Sequence, residues 1–230
     1  MRQSAMSTSD TDLTIQIERV DAWEPPQGQT GRGMLLRTTR GDVEAILHHE
    51  SDTPKAIIWV CGAHGGFDGP ADGIYRVLAE ELKSQSITSL RVNYRHPGVL
   101  HESVLDTLVG VSFLKGIGHT DMVLVGHSFG GAVVISAAPF GPLVNAVVAL
   151  SSQTLGATNA SEVSPRPLLL VHGADDTRLA PKCSEMIYEW ALEPKELVIY
   201  PGVGHGLRQC KDELHELLSE WIADKLTGRV

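Results

Sequence analysis

A serine framed by glycines, a pair of aspartates behind an apolar run and a histidine in a glycine loop are the residues here whose types and spacing could do chemistry together. Gly126-His127-Ser128-Phe129-Gly130 fits the pattern G-x-S-x-G, with an apolar run at 122–126 before it and a small-residue stretch to 138 behind it. That setting is a strand, a sharp turn and a helix. A serine on such a turn needs close neighbours without side chains, and Gly126 and Gly130 supply them. The turn also lifts Ser128 Oγ to a helix N-terminus, where backbone N–H groups favour negative charge. A serine hydroxyl is a weak nucleophile until a base takes its proton, and the base needs an orienting acid. Asp175 and Asp176 follow the apolar run 168–172 by way of Gly173-Ala174. His205 sits in Pro201-Gly202-Val203-Gly204-His205-Gly206, just after the run 197–200. Nucleophile, acid and base in this pattern point to acyl transfer.

These residues need elements to bring them together. Residues 13–20, 33–39 and 43–49, separated by Gly/Pro-rich turns, read as antiparallel strands. From 56 onward the pattern changes. Segments 56–61 (AIIWVC), 88–94, 122–126, 146–151, 168–172 and 197–200 are mostly short apolar runs, as in parallel strands buried on both faces. Between them 71–83, 101–115, 128–138, 181–192 and 207–226 read as helices, the third stopping at Pro139. The last carries Leu207, Cys210, Leu214, Leu217, Leu218 and Trp221 as a wide apolar stripe. Strand and helix in alternation predict an α/β sheet with helices on both faces. Such sheets gather their sites outside the carboxyl ends of the strands, which is where Ser128, the aspartates and His205 fall.

Composition narrows the partners. The 230 residues include 19 Lys plus Arg against 28 Asp plus Glu, a formal net charge of −9. With no basic run, neither nucleic acid nor an anionic membrane is expected as the main partner. A 42% apolar and 20% charged composition is that of a folded soluble protein. Cys61, Cys183 and Cys210 are too far apart for a disulfide framework or a CxxC metal site, so a reducing compartment, the cytoplasm, is expected. Residues 1–12 are polar, lack the apolar stretch of a signal peptide and read as a disordered tail; residues 13–230 read as a single domain. His48 and His49 are adjacent on a strand and point to opposite faces, which argues against a metal role. No metal and no cofactor are expected.

With these motifs in place, the chain resembles the α/β-hydrolase-fold serine hydrolases over essentially all of its length beyond the tail. The resemblance implies an α/β fold with a mostly parallel, eight-stranded sheet, helices on both faces and, given only 15 residues from 152 to 166, no cap domain. The family order is serine, acid, histidine. Its H-G-x-x-D pattern lands on Asp176 through His172 and Gly173, leaving Asp175 a turn or capping role, and its late glycine-loop histidine lands on His205. His127 and His172 do not satisfy that order and read as structural neighbours. The oxyanion donors implied are the N–H of Phe129 and a second from the loop Cys61-Gly62-Ala63-His64-Gly65-Gly66-Phe67. Alignment puts that donor at Ala63; a second frame, His64-Gly65-Gly66, puts it at Gly65 or Gly66. Cys61 stands where the family usually has His, either as a reactive thiol or as a small buried hydrophobe. Arg95-His96-Pro97-Gly98 resembles the loop beside the family's pocket, with a solvated loop as the alternative.

The expectation is therefore a carboxylic-ester hydrolase with an open site and a small-molecule ester or acyl substrate. A thioesterase, an acyltransferase or a small peptidase would use the same triad. A non-catalytic interaction protein on a hydrolase scaffold is the reading from another class.

Overall fold

A computed structural model describes residues 14–227; the expected tail at 1–12 lies outside them. Nine strands form one sheet in the order β1-β2-β3-β5-β4-β6-β7-β8-β9. They are β1 Ile17–Trp23, β2 Arg32–Thr38, β3 Gly41–His48, β4 Lys55–Val60, β5 Thr88–Val92, β6 Asp121–His127, β7 Val144–Leu150, β8 Leu168–Gly173 and β9 Lys195–Tyr200. The first three strands are antiparallel, as is the β3–β5 pair; from β5 to β9 every pair is parallel. The chain has the α/β-hydrolase fold.

The count of nine corrects the eight that the resemblance implied and agrees with the nine strand segments read along the chain, of which β1 is the most shifted. It lies at the outer edge, pairs only with β2, and runs later than the expected 13–20. Its sequence, IERVDAW, is largely exposed. Asp21 pairs with Arg37 of β2 and with Arg19 of its own strand, Ile17 packs partly against the core, and Trp23 packs on Phe67. At the opposite edge, β9 is only half-buried, unlike the fully buried strand its apolar run suggested, because none of the described strands pairs beyond it.

The period-two alternation of the central strands feeds two apolar layers. In β4, Ile57 and Trp59 face one side and Ala56, Ile58 and Val60 the other. The first layer is closed by α1 (Ile74–Glu81) and α5 (Lys211–Thr227), through Leu78, Leu214 and Trp221. The second is closed by α2 (Leu100–Gly116), α3 (Phe129–Ala137) and α4 (Lys182–Trp190), through Val109, Val133 and Ile187. Pro139 sits in a 3-10 turn, Ala138–Phe140, which finishes α3. The expected last helix starts late, because Leu207 is left-handed at φ 54° and a 3-10 turn precedes α5.

Between β7 and β8 the only helical piece among the described residues is a 3-10 turn, Ala160–Val163. This segment sends Ala157, Ala160 and Val163 into the layer that holds α3. It is spent on packing, and no cap stands over the sheet.

Candidate active site

Three strand ends converge at the carboxyl edge of the sheet. β6 ends at His127 and α3 begins at Phe129, so Ser128 alone makes the turn, at φ 60° and ψ −117°. A side chain pays strain there. The turn closes only because its flanks are bare. A Cβ at Gly126 would overlap the Gly130 carbonyl, and one at Gly130 would overlap the carbonyl of Cys61 on the neighbouring strand end.

His205 reaches this turn from the loop after β9, with Nε2 3.1 Å from Ser128 Oγ and Nδ1 2.7 Å from Asp176 Oδ2. Asp176 follows β8, and its Oδ1 accepts the backbone N–H groups of Arg178 at 2.8 Å and Leu179 at 2.9 Å. Burial pushes its carboxyl up, but the Leu179 amide, the His205 ring and the Arg178 amide outweigh burial and hold it below the usual carboxylate value. Asp175 points to solvent, its own amide bonded to Val203 O at 2.9 Å. The structure thus brings Ser128, His205 and Asp176 into one hydrogen-bonded line and leaves Asp175 out of it.

Two more histidines surround that line. His172 Nε2 lies 3.1 Å from Asp176 Oδ2 and 2.9 Å from Leu179 O, while Nδ1 lies 2.7 Å from Ser184 Oγ. Two acceptors at Nε2 place the hydrogen there, so His172 donates to the same carboxylate oxygen as His205. His127 donates from Nε2 to the His205 carbonyl at 3.0 Å, and the two rings lie 5.0 Å apart. Burial pushes the His127 imidazole down to about 4, so it stays neutral.

The loop after β4, where the second oxyanion donor is expected, lies beside Ser128. Gly62 packs beside Ser128, a Cβ there lying 3.6 Å from Ser128 Cβ. Of the candidate donors, the Gly65 amide is committed to Gly62 O at 3.0 Å and the Gly66 amide to Asn93 Oδ1 at 2.8 Å. Among the described residues, the amides of Ala63 and Phe129 have no acceptor, and both residues line the cavity over Ser128. Cys61 is buried, and burial pushes its thiol up to about 12, so it packs as a small apolar group and not as a thiolate.

The cavity holds about 480 Å³, with Phe67, Gln153, Arg178 and Leu179 around Ser128 and His205. The loop expected beside it, Arg95 to Gly98, does not line it. Arg95 turns into the protein to pair with Asp106 and Glu102 and to donate to Arg40 O at 2.8 Å. Those carboxylates on α2 outcompete the mouth for the guanidinium. Gln153 and Arg178, which do line the cavity, follow β7 and β8 and carried no motif. Among the described residues no group of three or more His, Cys, Asp or Glu side chains is arranged to hold a metal ion, and no helix is long and apolar enough to cross a membrane.

Similarity to known proteins follows the fold. Est1E from Butyrivibrio proteoclasticus superposes with a TM-score of 0.71 at 17% identity, covering 86% of this chain and 100% of its own. A dienelactone hydrolase from Anabaena variabilis gives 0.70 at 19% identity, over 82% and 94%. An alpha-beta serine hydrolase homologue from Coxiella burnetii gives 0.68 at 20% identity, over 85% and 99%. No protein-family model matches the chain. In sequence, the chain is 48% identical over 71 residues to an uncharacterized protein of Pseudomonas aeruginosa, a match spanning 31% of this chain and 17% of that relative.

Proposed function

We propose that the chain is a serine hydrolase that cleaves carboxylic esters through an acyl-enzyme intermediate. The observation that carries this reading is the continuous line from Ser128 Oγ through His205 to Asp176 at the floor of an open cavity. Est1E, one of whose structures holds ferulic acid, supports the ester class.

In this reading Ser128 attacks the acyl carbon as His205 Nε2 takes its proton. Asp176, an ionised acceptor, keeps the hydrogen of His205 on Nδ1 and stabilises the imidazolium that forms. The Ala63 and Phe129 amides receive the oxyanion; one such donor is worth ~3 kcal/mol in the transition state. His205 then returns the proton to the leaving alcohol, and water, activated by the same imidazole, releases the acid. A solvent-open cavity suits that second step.

The test is a fluorophosphonate probe with a panel of chromogenic esters, thioesters and aminopeptidase substrates. Labelling should map to Ser128, ester turnover should exceed the others, and Ser128→Ala should cost about 10⁶ in kcat if the three residues act as a unit. Labelling that survives Ser128→Ala, or a loss of only a few-fold, would sink the proposal.

A further inference from the structure

The loop that carries Ala63 is gripped by β5 and the residues just after it, and one anchor is a buried charge in that strand. Arg91 is fully buried, between Ile46 of β3 and Trp59 of β4. A buried guanidinium is costly unless its donors are satisfied. The nearest carboxylate oxygen, Asp68 Oδ1, is 3.7 Å away. Nη1 and Nη2 go instead to neutral acceptors, while Nε is buried with no hydrogen-bond partner among the described residues. Nη1 reaches Gln29 Oε1 at 2.6 Å and the Phe67 carbonyl at 3.4 Å, and Nη2 reaches the Thr30 carbonyl at 2.7 Å and His48 Nε2 at 3.1 Å.

His48 accepts because its other nitrogen donates to Glu80 Oε2 at 3.0 Å; burial and Arg91 hold its pKa below the usual value. Gln29 passes the grip onward, its Nε2 donating to both carboxylate oxygens of Asp68 at 3.0 and 3.1 Å. Just past the strand, Asn93 accepts from the Gly66 amide and Tyr94 Oη donates to the Cys61 carbonyl at 3.0 Å. Cys61, Gly66, Phe67 and Asp68 are therefore each tied down. Gly62 and Ala63 are left between those anchors, beside Ser128.

We infer that Arg91, with Gln29 as its relay, is a positioning residue for the oxyanion side of the site. It fixes Phe67 and Asp68 so that the Ala63 amide stays aimed at the oxygen that becomes charged when Ser128 attacks. The inference rests on reading Ser128 as nucleophile and Ala63 as donor. Arg91→Met removes the donors at similar length but leaves the acceptors on Gln29, Thr30 and His48 unpaired, so its folding is measured by urea unfolding before its kinetics are read.

The experiment compares Arg91→Met and Gln29→Leu with wild type and Ser128→Ala, using p-nitrophenyl butyrate and a trifluoromethyl ketone of the same acyl length. Misaiming a donor should lower kcat ~10–100-fold in Arg91→Met, with KM within about twofold. The ketone, whose adduct carries the oxyanion, should lose affinity by the factor that kcat/KM loses, and Gln29→Leu should fall between. If Arg91→Met does not fold, Gln29→Leu decides alone by the same split. Unchanged kcat in the folded variants, or a rise in KM with kcat intact, overturns the inference while Ser128→Ala still abolishes turnover. If Ser128→Ala stays active, the reading of the site fails and this inference with it.

Discussion

Two adjacent aspartates follow β8 in different electrical surroundings. Asp176 is buried under two backbone amides and two imidazoles, whereas Asp175 faces water. Asp176→Asn keeps the shape but removes the charge that fixes the His205 tautomer, so kcat should fall about 10⁴-fold. Asp175→Asn should stay within about twofold. Steady-state kinetics on one ester checks both, and equal losses would remove Asp176 from its role. The sequence pattern H-G-x-x-D already favoured Asp176. It did not reveal that His172, the first letter of that pattern, donates to the acid itself. That contact depends on how the turn folds back on β8, with Ser184 of α4 completing it.

Elements place these residues more tightly than the pattern alone shows. The strand runs were legible because burial on both faces leaves an unbroken apolar signature. β1 was legible only in outline, since its side chains are half exposed and its charged residues pair with each other and with Arg37 of β2. Arg91 could have been noticed as one cation in the apolar run 88–94, but its meaning needs Gln29 and Thr30, far away in sequence. The β6 turn rests against the end of β4 through Gly130, where a methyl group would strike the Cys61 carbonyl. Gly130→Ala should therefore destabilise by ~1–3 kcal/mol in urea unfolding. Activity should drop with it, because Cys61 leads into the Ala63 loop. Wild-type stability would mean that the two strand ends are not in register as described.

At the scale of the whole molecule, buried neutral histidines make acid a structural stress. His48, His119 and His127 all have pKa values lowered chiefly by burial, His127 to about 4. Below about pH 6.5 the unfolded chain takes up protons at these sites that the folded chain refuses, so stability falls as pH drops. For His127 the loss runs from about pH 6.5 down to its folded value, up to about 3 kcal/mol, and then stops. Asp106, pushed up by burial despite Arg95, works in the opposite sense. Denaturation midpoints should thus begin to decline before most carboxylates titrate, and His127→Gln should flatten the decline. An unchanged slope in that variant would clear His127 of the effect. Ser128 sets a different tension. Its left-handed backbone is held against its own preference by everything packed around it. A sequence drifting toward greater robustness would be drawn to glycine at that one position and, on the proposed function, would arrive there inert.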